Sequence, residues 1–170
     1  ISECLVGSEM CIRDSSNDIA CFAAWADRIF TLGPGQFYSA EMFTDYPPGF
    51  MYVLYLIGAL RSLLQIPYYS DLHILLLKLP AILCDIACGF LLYREAVKRL
   101  HFSDLQGIFA ASAYLFQPAV ILNSSCWGQV DSVYTLMIIL MCLFLMKGNL
   151  LPAYAVYGCL LYTSDAADEL

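Results

Sequence analysis

Residues 72–93 read LHILLLKLPAILCDIACGFLLY, a run in which only Lys78 and Asp85 carry a formal charge. A helix needs roughly 20 predominantly apolar residues to cross the hydrocarbon core of a bilayer, and this run has that length. Lys78 and Asp85 stand seven residues apart, two helical turns, and therefore share a face. An ionisable pair at that depth is costly and turns toward a protein interior or a wet cavity. A helix-to-helix ion pair and a polar substrate cavity both meet that requirement.

The rest of the chain has the same character. Of its 170 residues 61% are hydrophobic and 14% charged, with a mean hydropathy of +0.69, whereas a soluble domain carries about 25% charged residues. Apolar stretches at about 47–66, 105–122 and 132–146 fit or nearly fit a bilayer span, and another begins at 150 and is cut short. The expected fold is all-α, a polytopic bundle of transmembrane helices in an integral membrane protein.

Arg94, Lys98 and Arg99 follow the 72–93 run in what reads as a short loop, which the positive-inside rule places in the cytoplasm. The 105–122 segment then leads outward to NSSCWGQVDS, and 132–146 returns to Lys147 inside. This topology meets a parity problem. With both 18–48 and 127–131 outside, an even number of crossings must separate them, yet three apolar stretches do. Either 47–66, which Arg61 interrupts, or 105–122, where Pro118 removes a backbone donor, is not a simple crossing.

The formal charge of −7 sits mostly at the ends: −2 in 1–15 and −3 in 159–170, leaving −2 between. Residues 1–14, ISECLVGSEMCIRD, and 159–169, CLLYTSDAADE, resemble translated sequencing adapter, so the expected membrane domain is 16–158. Cys4, Cys11 and Cys159 fall in those ends. The remaining Cys21, Cys84, Cys88, Cys126 and Cys142 form no disulfide framework and no zinc spacing. Cys84 and Cys88, one turn apart, read as small thiols packed between helices. No metal, cofactor or nucleic-acid partner is expected.

From Ser16 the chain offers cap candidates Ser16 and Asn17, then Ile19, Phe22, Ala23, Ala26, Ile29 and Phe30 at helical spacing, stopped by Gly33-Pro34-Gly35. Such an amphipathic helix, carrying Trp25, suits the membrane interface. Phe37, Tyr38, Phe43 and Tyr46 lead into Pro47-Pro48-Gly49, where aromatics can anchor a chain at headgroup level.

Three polar clusters interrupt the apolar sequence: Asp18, Asp45-Tyr46-Pro47-Pro48-Gly49, and Trp127-Gly128-Gln129-Val130-Asp131. The helix dipole favours a carboxylate in the first turn. That suits Asp18 as a general base, and it equally suits a capping residue with no catalytic role. Asp131 likewise reads either as a site residue or as the cap of the 132–146 helix. The sequon Asn123-Ser124-Ser125 lies too close to the apolar run to be read as a glycan acceptor.

The order NDIACFAAW, FY, DYPPGFMYVLYLIG, KLPAILCD, QPAVILNSSCWGQVDS resembles the N-terminal part of bacterial polytopic glycosyltransferases of the GT-C superfamily. It is similar also to the eukaryotic ER glucosyltransferases that use dolichyl-phosphate glucose. The resemblance covers about 16–158 and is carried by Asp-Tyr-Pro-Pro-Gly together with Trp-Gly-Gln-Val-Asp. It implies a hexosyltransferase whose donor is a polyprenyl-phosphate sugar, with Asp18 as general base for an extracytoplasmic acceptor hydroxyl and inversion at the anomeric carbon. It further implies a helix before Asp18 and several after 158, so that the chain reads as a fragment.

Within that resemblance Pro47 and Pro48 stiffen the chain and hold Asp45 and Tyr46 over the mouth of a cavity, while Trp127, Gln129 and Asp131 line it. Lys78 and Arg61 are candidate partners of the donor phosphate. A transporter or flippase, or a non-catalytic membrane subunit, are the alternatives the residues leave open.

Overall fold

The structure, a computed structural model, describes residues 18–37 and 48–164. Asp45, Tyr46, Pro47, both cap candidates of the first helix and residues 1–15 lie outside that range. Every described element is helical.

Helix α1 (18–32) ends at Gly33, which adopts φ +81° and donates its N–H to the Ile29 carbonyl (3.0 Å). A 3₁₀ turn, Pro34–Gln36, follows. The apolar stripe Ile19, Phe22, Ala23, Ala26 and Ile29 is buried. It meets Phe50, Met51, Leu54 and Ile57 of α2 (Pro48–Leu63), together with Leu77 and Val130. The stripe read from sequence as a face for the membrane interface is thus covered by protein. Trp25, only 4% exposed, packs edge-on to Phe22 (centroids 5.7 Å) instead of standing at a surface.

Helix α2 runs unbroken through Arg61, which does not interrupt it as expected. The guanidinium reaches back to pair with Asp27 of α1. At 16 residues the helix is about 24 Å long, short of the roughly 30 Å hydrocarbon core.

Helix α3 (Asp71–Lys98) is the longest element at 28 residues, its start capped by the Ser70 hydroxyl accepting from His73 N–H. Among the described residues it is the one continuous helix long and apolar enough to cross a membrane. It absorbs Arg94 and Lys98, which belong to its last turns and not to a loop. Its two faces are inverted relative to a soluble helix. Leu72, Leu75, Leu79, Leu83, Ile86 and Phe90 point outward and are exposed, while the buried side carries His73, Leu77, Ala81, Asp85 and Cys88.

Helix α4 (Asp104–Leu115) begins at a capping box in which Ser103 and Gln106 satisfy each other's backbone N–H groups. It packs along α3, closely enough at Gly107 that a Cβ there would lie 2.9 Å from Tyr93. The chain breaks at Phe116-Gln117, restarts with Pro118 as the first residue of α5 (Pro118–Ile121), and passes directly into a π-helical turn, Leu122–Trp127. The two halves are bent by 52°. Proline's lost donor and fixed φ account for a restart at that position. Of the two stretches suspected on parity, α2 is shorter than a bilayer core and 104–127 is a bent pair; an even count between 18–48 and 127–131 results when α3 and the bent pair cross and α2 does not.

Gly128 closes the π turn at φ +71°. Helix α6 (Asp131–Met146) follows, Gly148 (φ +73°) turns the chain, and α7 (Leu150–Ser164) packs back on α6. Helices α3, α4 and α6 with the π turn form one packed group, and α1 with α2 forms the second.

Candidate functional site at the Trp127–Asp131 turn

The turn from Trp127 to Asp131 is where the candidate residues meet. Gln129 Nε2 donates to the Asp18 carboxylate, tying the start of α1 to the start of α6 across 111 residues of sequence. Gly128 lies between them and α3. A Cβ there would sit 3.2 Å from Lys78 Cγ and 3.3 Å from Ile19 Cγ1, so a larger residue would press on both side chains, at a φ that L residues rarely adopt.

Lys78 has a definite task. Its Nζ donates to the carbonyls of Ser125 (2.9 Å) and Cys126 (3.0 Å), in the second half of the π turn. Helix ends leave such carbonyls without intrahelical partners, and an ammonium from a neighbouring helix satisfies two at once. Of the two readings open from sequence, a helix-to-helix ion pair is made by neither residue among the described residues, while Asp85 borders a cavity: the two side chains share one face of α3, and each reaches a different part of the 118–132 segment.

Asp85 is 6% exposed and accepts from Tyr114 Oη (3.1 Å) and from the Ser124 hydroxyl. Ser124 in turn approaches Val120 O (2.9 Å) and Ser132 Oγ (3.2 Å). The carboxylate is thus held directly by α4 and the π turn, and α6 joins the network through Ser124. A buried charge needs such a partner set, because desolvation without hydrogen bonds costs several kcal/mol.

Beside this network lies a cavity of about 460 Å³ bounded by Asp85, Tyr114, Asn123, Trp127, Asp131, Ser132 and Thr135 on its polar side and by Ala119, Val120 and Leu122 on its apolar side. That volume is within the roughly 300–1,000 Å³ of small-ligand clefts. The sequon residue Asn123 is one of its walls. Asp131 does not cap α6 with its side chain: Val130 occupies the N-cap and makes no side-chain cap bond.

The site residues named from sequence therefore divide. Trp127 and Asp131 line the cavity; Gln129, Asp18 and Lys78 form a junction on another side of the same turn; Arg61 is held by Asp27; Asp45 and Tyr46 lie outside the described residues. Sequence reading did not place Asp85, Tyr114, Ser124 and Ser132 together. Its one available signal was a carboxylate inside an apolar run, facing hydroxyl residues on either side of the Pro118 break. Comparison of the chain with family models, curated proteins and solved structures finds no match.

Proposed function

We propose that this chain belongs to an integral-membrane glycosyltransferase that transfers a hexose from a polyprenyl-phosphate sugar to an acceptor outside a bacterial cytoplasmic membrane. The observation that carries the reading is the Trp127–Asp131 turn, which joins a cavity walled by an aromatic ring and two carboxylates to the Asp18–Gln129 pair. The inverted faces of α3 support the membrane setting, since an outward stripe of Leu, Ile and Phe requires apolar surroundings. By the same reading the cationic end of α3 is cytoplasmic and α3, the bent 104–127 pair and the shorter apolar helices together make a polytopic bundle.

In the proposed reaction Asp18 takes the proton of the acceptor hydroxyl. The hydroxyl oxygen attacks the anomeric carbon from the face opposite the lipid phosphate. The bond from that carbon to the phosphate oxygen breaks, the electron pair leaves with the polyprenyl phosphate, and the anomeric configuration inverts. Gln129 orients the Asp18 carboxylate, Trp127 offers a ring for the sugar or prenyl chain to pack on, and Asp131 hydrogen-bonds hydroxyls. Asp45 and Tyr46 are assigned to donor binding by the same hypothesis.

The test is transfer of labelled sugar from polyprenyl phosphate in membranes carrying the native gene. Asp18→Asn is expected to lose at least 100-fold, in line with the roughly 10²–10⁴-fold that general bases contribute. A wild-type rate would remove Asp18 as the base.

A second reading, a transporter or flippase, is favoured by one observation: Asp85 borders a cavity beside a broken helix pair, as in solute pathways through membranes. Solute flux in proteoliposomes without sugar transfer would select it.

A further inference from the structure

The far end of α3 gathers cations. Arg94 and Lys98 lie one turn apart on α3, Arg99 caps its C-terminus and Lys147 caps that of α6; with Glu95 they border a second cavity of about 360 Å³. Two of the four have structural employment. Arg94 pairs with Glu95 (Nη2 to Oε1, 2.8 Å), and Arg99 Nη2 donates to the Met146 carbonyl (3.1 Å). The ammonium groups of Lys98 and Lys147 are exposed and donate no hydrogen bond among the described residues; Lys147 acts on Glu95 only through its charge.

Helix ends do not account for all this charge. Each C-terminus presents about half a negative charge, so α3 and α6 together offset about one cation and Glu95 offsets another. Asp104, the other carboxylate on this side, accepts from Tyr93 Oη and sits on the N-terminus of α4, which offsets it. About two positive charges remain uncompensated around the cavity. Immediately beside them are exposed apolar side chains: Leu92, Leu100, Phe102, Leu145 and Met146.

We infer that this cavity binds the phosphate headgroup of an anionic membrane lipid, its acyl chains lying against the apolar residues at the rim. A phosphate matches the uncompensated charge, and only a ligand with hydrocarbon attached uses the apolar rim; basic pockets at the ends of membrane helices take anionic headgroups in this way. The inference rests on the membrane setting proposed above, and not on glycosyl transfer.

The experiment is native mass spectrometry of the full chain released from detergent micelles containing either phosphatidylglycerol or phosphatidylcholine at equal concentration. The chain is expected to retain phosphatidylglycerol in preference. Lys98→Gln with Lys147→Gln is expected to weaken that retention about 25-fold, at about fivefold for each lysine, while Lys98→Arg with Lys147→Arg keeps it.

Equal retention of both lipids, or an unchanged preference in the glutamine variant, overturns the inference. So does complete displacement of phosphatidylglycerol by inorganic phosphate at the same concentration, which assigns the cavity to free phosphate. Carbonate extraction of cell membranes separates the two layers of the argument. Release of the chain removes the membrane setting and the lipid site together, whereas a retained chain with no lipid preference removes the lipid site alone.

Discussion

Gly58 lies where α2 crosses α1, and replacing it with alanine sets two known effects against each other. In an open helix the exchange adds about 0.8–1 kcal/mol, because alanine is the better helix former. At this crossing a Cβ would overlap the Ala26 carbonyl oxygen and stand 2.9 Å from Phe30 Cβ, where ordinary contact begins near 3.4 Å. The principal obstacle is backbone, so no rotamer change relieves it, and the helices must separate. Overpacking of this kind costs about 1–3 kcal/mol, which outweighs the propensity gain at most values in its range. Gly58→Ala should therefore lose about 1 kcal/mol net. Gly158 in α7 supplies the control, since nothing lies within 4 Å of a Cβ built there, and Gly158→Ala should gain up to about 1 kcal/mol. Both variants can be unfolded in mixed SDS and mild-detergent micelles and followed by circular dichroism. If Gly58→Ala is as stable as wild type or more so, the close crossing of α1 and α2 is wrong, and with it the placement of Asp18.

Tyr114→Phe removes one of the two donors on the buried Asp85 carboxylate. Hydrogen bonds to charged groups contribute about 1.5–3 kcal/mol in soluble proteins, but membrane cycles average about 0.6 kcal/mol, so a loss of about 1 kcal/mol is expected in the same SDS assay. An unaltered midpoint would show that Asp85 is held otherwise. Gly128→Ala forces a side chain into the left-handed region, at about 1–2 kcal/mol, and presses on Lys78 and Ile19. Under the proposed function, strain at the residue next to Gln129 should lower sugar transfer in native membranes on the order of 10- to 100-fold; full activity in this variant would detach the turn from the proposed reaction.

How much of this was legible in the sequence follows from the range of each interaction. The α3 segment was readable, and Pro118 stood as one of two candidate breaks, because apolar length and a missing backbone donor are local properties. The stop at Gly33 was readable for the same reason. The direction of α1's apolar face was not: a stripe of Ile19, Phe22 and Ala26 looks the same whether lipid or α2 covers it, and only the crossing at Gly58 decides. Arg61 misled the reading in a similar way. An arginine in an apolar run looks like an interruption until Asp27, 34 residues earlier, is found beside it. The Asp85 network joins residues up to 47 positions apart, and no spacing rule reaches that far.

Helix α3 then acts as a ruler for the whole assembly. At 28 residues it is about 42 Å long, with Asp85 near its midpoint and Lys78 about 10 Å nearer its start. Lys98 lies about 20 Å beyond Asp85 at the other end. If Arg94, Lys98, Arg99 and Lys147 mark the cytoplasmic boundary, the Asp18–Gln129–Lys78 junction falls toward the opposite surface and the Asp85 cavity falls between them. That order is what a lipid-borne donor requires. Under the proposed function its phosphate would stay at the headgroup level, its hydrocarbon would reach inward along apolar helix faces, and Asp18 would stand at the aqueous side. In the proposed membrane setting the polar groups on the inward side of α3 mark these depths, because hydrocarbon permits charge only where another helix supplies partners: two carbonyls for Lys78, two hydroxyls for Asp85.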